Sequence, residues 1–360
     1  MNTFEGPDPG MQFVYNANPA RIVFGAGTSA TLGKELEAAG KSRALVLSTP
    51  FQREAADKLA TGLGGLAAGV FAEAAMHTPV DVTERAMAAF AAADADCVVS
   101  LGGGSTIGLG KAIAYRNDCF QAVIATTYAG SEVTPILGQT ENGIKTTVRA
   151  ASILPEVVIY DPELTLSLPV AMSVTSGLNA MAHAVEALYA KDRNPVTSLM
   201  AVEGMRALRD ALTVIVKSPH DLNARGTALY GSWLCGTVLG TVGMALHHKL
   251  CHTLGGSFDM PHAETHAVLI PHTAAYNEAA ARDALKPAAE LFGGRLGGGL
   301  YDFAKSLGAP LALRDLGLEL GALDKAADIA VKNPYWNPRP VERDAIRALL
   351  GRAWEGHKPE

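Results

Sequence analysis

Six of the ten histidines fall between His247 and His272, and their spacing carries the chemistry of the chain. In LHHKLCHTLGGSFDMPHAETH, His248 and His252 stand four apart, so a helix puts both on one face, and His262 follows after a glycine turn. SGLNAMAHAVEA holds a second pair at the same spacing, Asn179 and His183. Three imidazoles drawn from two helices form a donor set for a transition metal. Asn179 weakens that reading, because a carboxamide is a poor ligand where an anion would help. The alternative is a metal-free site lined by imidazoles and the Lys249 ammonium, cationic when the rings protonate and suited to an anionic substrate. Lys249 also reads as a lysine snorkelling from a helix. Cys251 and His252 do not pair as nucleophile and base, since adjacent helical residues point about 100° apart. His247 and His272 read as structural or surface residues, and His77 and His220 as solvated turn residues.

A phosphate cradle lies upstream. VVSLGGGSTIGLGK sets Gly102, Gly103 and Gly104 between a strand and a helix, so that backbone N–H groups and Ser105 meet a diphosphate at the helix N-terminus. The spelling is neither G-x-G-x-x-G nor a P-loop, because Lys111 lies seven residues past Gly104 and no Ser or Thr follows it. ATTYAGSEVT is a second strand running into hydroxyls, with Thr126, Thr127, Ser131 and Thr134 around Gly130. Two such loops after neighbouring strands flank one ligand at the carboxyl edge of a sheet, which predicts a dinucleotide. Tyr128, in the second loop, is a candidate proton donor. Ser48 and Thr49 occupy the place where NAD-specific sites often carry an acid; neither is acidic, so NADH and NADPH are both admissible.

The elements that must position these residues divide the chain in two. RALVLST, DCVVSLGGG, AVIATT and EVVIYDP read as strands alternating with helical patterns, the pattern of a parallel α/β sheet. Beyond Asp161 the strand patterning stops and Ala/Leu-rich helices follow. The expected domains are therefore 1–162, an α/β dinucleotide-binding domain, and 163–360, an all-helical substrate domain, with the ligand in the cleft between them. Gly226 to Leu246 is uncharged over 21 residues, yet its five glycines and its hydroxyls suit a buried helix rather than a membrane span.

With 360 residues, 48% hydrophobic and 18% charged, the chain is globular and large enough for two domains. A formal charge of −6 offers no basic field for nucleic acid. Four scattered cysteines read as reduced thiols, and the N-terminus lacks a secretory pattern, so the expected location is the cytoplasm.

GGGSTIGLGK resembles the GGGSxxDxAK loop of the iron-containing alcohol dehydrogenase family, with Gly108 where an aspartate is usual. TTYAGSE is similar to that family's TTAGTGSE loop, one residue shorter, and the resemblance extends from a strand near Phe13 to the last helix. It implies that the family's metal ligands, an aspartate and three histidines, fall on Asn179, His183, His248 and His262, and that His252 matches a non-ligating histidine proposed for proton handling. With the aspartate missing, the chain looks most like a branch that works without iron or zinc and reduces maleylacetate to 3-oxoadipate with NADH or NADPH. In that branch His183, His248, His262 and Lys249 would bind the dicarboxylate and its developing enolate. A homodimer is expected from the resemblance and from an exposed N-terminal strand near FVYNA. The rival readings are a metal-dependent alcohol dehydrogenase of the same fold, a lyase of the dehydroquinate synthase type, and a non-catalytic nucleotide-binding protein. The last gives no reason for the histidine spacing.

Overall fold

A computed structural model describes residues 13–15, 17, 18, 20–141 and 144–360. The strands are β1 (Arg21–Phe24), β2 (Ala44–Leu47), β3 (Ala67–Phe71), β4 (Cys97–Gly102), β5 (Phe120–Ala125), β6 (Ile136–Glu141), β7 (Ile144–Arg149) and β8 (Val157–Tyr160). Six of them form a parallel sheet in the order β1-β8-β5-β4-β2-β3, and β6 and β7 form a separate antiparallel pair. CVVSLG of β4 and ALVL of β2 are buried at every position, which is why they read as unbroken apolar runs: helices cover both sheet faces. The chain runs outward from β2 to β3, returns to β4 and continues the other way to β5 and β8. Its direction therefore reverses at β4, whose carboxyl end carries the glycine turn, the usual ligand position in such sheets.

Helices α1 (Leu32–Ala38), α2 (Arg53–Leu63), α3 (Val80–Ala92) and α4 (Gly104–Asn117) connect the strands. After β8 every named element is helical: α5 (Val170–Tyr189), α6 (Pro195–Ile215), α7 (Leu222–Thr241), α8 (Leu246–Phe258), α9 (His262–Glu278), α10 (Arg282–Leu291), α11 (Leu296–Ser306), α12 (Ala322–Val331) and α13 (Arg343–Glu355), with short 3₁₀ turns between. Apolar faces of α5, α6, α7 and α9 form one continuous core with Val123, Ala125, Val158 and Tyr160 of the sheet. A second core joins α8, α9, α12 and α13.

Two expectations change. Gly226 to Leu246 is not one helix: α7 ends at Thr241, Val242 is extended, and α8 starts at Leu246 with its axis bent 95° from that of α7. The cause is Glu186 on α5, whose carboxylate accepts the N–H groups of Ala245 (2.8 Å) and His247 (2.6 Å) and so starts a new helix there. No single helix among the described residues is long and apolar enough to cross a membrane. The strand expected near Phe13 is also absent among the described residues; Phe13–Tyr15 belong to no strand, and β1, the edge strand, pairs only with β8. None of the four cysteines is in a disulfide.

Candidate active site

A cavity of about 400 Å³ opens between the carboxyl edge of the sheet and the helical half. On the sheet side it is lined by Gly104 and Ser105 of α4 and by Thr127, Ala129 and Ser131 of the loop after β5. Gly103 shows why the first turn is glycine: a Cβ there would stand 2.6 Å from Cγ2 of Thr127, so the two loops can touch only without a side chain. A Cβ at Gly104 would meet nothing within 4 Å, which leaves the first turn of α4 open to a ligand. Its backbone N–H groups and the Ser105 hydroxyl fit a diphosphate.

Lys111 of α4 locks the second loop. Its buried ammonium donates to the carbonyls of Ser131 (2.5 Å) and Ile136 (3.0 Å) and to the Thr134 hydroxyl (2.9 Å). Burial pushes it down to about 7, against the opposing pull of the buried Glu132 carboxylate.

The helical side brings Asn179 and His183 from α5, His248 and His252 from α8, and His262 from α9 onto the same cavity. The Nε2 of His183 lies 3.2 Å from the Ala129 carbonyl. A carbonyl only accepts, so that nitrogen carries the proton. Nδ1 of His183 then accepts from Nε2 of His248 at 3.0 Å. Nδ1 of His248 meets the Glu186 carboxylate at 2.5 Å, a short charge-assisted contact between two fully enclosed groups. Nδ1 of His252 pairs with the Tyr335 hydroxyl at 3.1 Å. Behind them, Nδ1 of His247 is held by the Thr273 hydroxyl and its Nε2 by Nδ1 of His266 at 2.8 Å. The Asn179 Oδ1 is buried without a hydrogen-bond partner, a polar atom left for a ligand.

Burial holds His183, His247 and His266 well below the ordinary imidazole value, and neighbouring rings push them further the same way. They are neutral hydrogen-bonding groups at neutral pH. The expectation of a site made cationic by its protonated rings is corrected on this point for His183.

Other expected residues fall elsewhere. Lys249 leaves the cavity: it follows His248 by one residue, its Nζ donates to the Lys332 carbonyl and lies over the Tyr335 ring. Tyr128 is wholly enclosed, with its hydroxyl receiving Nη1 of the buried Arg225 at 3.0 Å, and so is not placed as a proton donor. Ser48 is buried and gives its hydroxyl to the Thr49 carbonyl, while Thr49 sits at the sheet edge facing Gln52. Gly102 and Thr126 do not line the cavity; the Thr126 N–H donates to the Gly102 carbonyl, and Gln52, in the turn after β2, donates to the Thr126 hydroxyl. His77 does lie in a turn, as expected, but it lines the cavity instead of meeting solvent alone.

Sequence reasoning passed over Glu186 and His266, and set His77 aside as a solvated turn residue. Glu186 follows His183 by three residues and Asn179 by seven, so the helical period of that stripe points to it.

Residues 19–162 match the model of the iron-containing alcohol dehydrogenase family, and residues 173–354 match that of the family's C-terminal part. The chain belongs to this family. Within it, the maleylacetate reductase of Rhizobium sp. (strain MTP-10005) is 68% identical over 348 residues, spanning 97% of this chain and 99% of that protein. The maleylacetate reductase of Burkholderia cepacia is 54% identical over 348 residues, spanning 96% of this chain and 99% of that one. The crystal structure of maleylacetate reductase from Agrobacterium tumefaciens, 68% identical, matches the fold with a TM-score of 0.94 over 97% of this chain and 100% of that one.

Proposed function

We propose that this protein reduces the carbon–carbon double bond of maleylacetate, giving 3-oxoadipate, with NADH or NADPH and without a metal ion. Likeness to maleylacetate reductases over nearly the whole chain supports the substrate. The observation that carries the metal-free reading is a neutral carboxamide, Asn179, completing a ring of imidazoles. A dication on Asn179, His183, His248 and His262 would have no anionic ligand, and both ring nitrogens of His183 and of His248 already have hydrogen-bond partners. That donor set fits a metal poorly.

Bound NADH or NADPH supplies a hydride. It adds to the carbon β to the ketone, the double-bond electron pair moves onto the ketone oxygen as an enolate, and a proton at the α-carbon completes the reduction. Asn179 and His262 are the cavity groups assigned to the substrate oxygens; a donor aimed at such an oxyanion is worth about 2.7–4 kcal/mol of barrier. His183 and His248, fixed by Ala129 and Glu186, shape the wall they rest on. His252, steadied by Tyr335, delivers the proton, directly or through water. The first turn of α9 (His262, Ala263, Glu264) opens on the cavity, and its N–H dipoles favour an anionic substrate.

The test is an assay with freshly made maleylacetate, run with each reduced nicotinamide with and without EDTA, alongside elemental analysis. Stoichiometric loss of reduced-nicotinamide absorbance that survives chelation is expected. Strict dependence on tightly held iron or zinc would return the chain to the alcohol dehydrogenase reading. A cytoplasmic homodimer belongs to the same proposal, supported by cysteines that form no disulfide and by the exposed Phe13 and Val14; sedimentation at a monomer mass would refute the dimer.

A further inference from the structure

The loop between β3 and α3 reaches the same cavity, where Met76, His77 and Thr78 form part of the wall. His77 (φ 64°) and Thr78 (φ 47°) are consecutive non-glycine residues in left-handed backbone, and Thr78 is β-branched. Each such residue costs on the order of 1 kcal/mol or more and persists only where its surroundings hold it. Those surroundings are visible. The Thr78 carbonyl accepts the Thr140 N–H of β6 at 3.2 Å, and the Thr78 N–H reaches the Ala75 carbonyl at 3.3 Å. Its buried side chain fills the space above Gly108 of α4, where an added Cβ would lie 2.3 Å from the Thr78 hydroxyl oxygen. Gly108 therefore makes room for Thr78, and this turn presents the His77 ring, with its Nε2 3.8 Å from the Asp259 carboxylate at the end of α8.

We infer that His77 is a substrate-binding residue that recognises one carboxylate of the dicarboxylate, with Thr78 and Gly108 as the pair that sets its position. The inference rests on the proposed function and names the part of that site that selects a diacid. Lys249, the cation expected from sequence, leaves the cavity, whereas an imidazole on the cavity wall offers an N–H donor to an anion.

The experiment compares kcat and KM for maleylacetate and for the two five-carbon oxo-enoates that each lack one of its carboxylates. In H77A, KM for the diacid should rise about tenfold or more with kcat within about threefold, the loss of one charge-assisted hydrogen bond. For one of the two monoacids KM should hardly move. G108A should reproduce this pattern by displacing Thr78, and T78A in the G108A background should restore the diacid KM. The inference is overturned if H77A leaves the diacid KM unchanged or raises KM equally for all three substrates. A wild-type enzyme inert towards maleylacetate overturns the functional reading as well, so the two failures are told apart by the wild-type rate alone.

Discussion

At the scale of single residues, Asn179 sets the chemistry. A carboxylate in its place would supply the missing anionic donor beside His183, His248 and His262, and would repel a dianionic substrate. Asn179→Asp should therefore raise KM for maleylacetate by about tenfold or more, equivalent to at least ~1.4 kcal/mol, and should bind iron or zinc measurable by elemental analysis. Unaltered kinetics together with no added metal would oppose this account. Lys249 shows the limit of reading residue types: its charge suits an anion, but its place one step around the helix from His248 points it to Lys332.

Among the elements, α8 depends on a residue of another helix. Glu186 of α5 accepts the first N–H groups of α8 and holds the His248 ring, so one carboxylate both starts the helix and aims its imidazole. Glu186→Ala should lower unfolding stability by about 2–4 kcal/mol, the sum of a lost cap and a buried unpaired group, read from urea denaturation. Glu186→Gln keeps an acceptor for the backbone but presents no anion to His248; it should fold, with kcat reduced about tenfold or more. Equal stability in all three proteins would show that α8 starts without this contact. The stripe Asn179, His183, Glu186 was legible as a helical period. That Glu186 caps a helix about 60 residues away was not, because no local pattern marks a partner brought in by packing.

For the whole molecule, the packing of helices around one another buries several imidazoles in neutral form. His183, His247 and His266 lie well below their ordinary value, and burial with nearby Arg352 takes His272 down to about 4. Below about pH 6.5 the unfolded chain takes up protons on these rings while the folded one does not, so stability falls as pH falls. Above that value their contribution is complete. The slope approaches ~1.4 kcal/mol per pH unit for each ring. Urea midpoints should drop between pH 7 and pH 5, and His266→Asn should flatten the decline by about one ring's share. A midpoint independent of pH over that range would contradict the burial argument.

Amino-acid order alone determined the alternation of β2, β4, β5 and β8 with helices, the glycine turn after β4 and the histidine pairs on α5 and α8, because each is a local pattern of apolar period, backbone freedom or i,i+4 spacing. β3 and the β6–β7 pair were not legible: AAGVF is too small and alanine-rich to mark a strand, and the other two pair outside the main sheet. Only the tertiary structure decided that Tyr128 faces Arg225, that Ser48 is sealed, that His77 reaches the cavity past Gly108, and that the deepest imidazoles are neutral. Direction and burial are set by what packs against a side chain from far along the chain, and these settle its charge and its role.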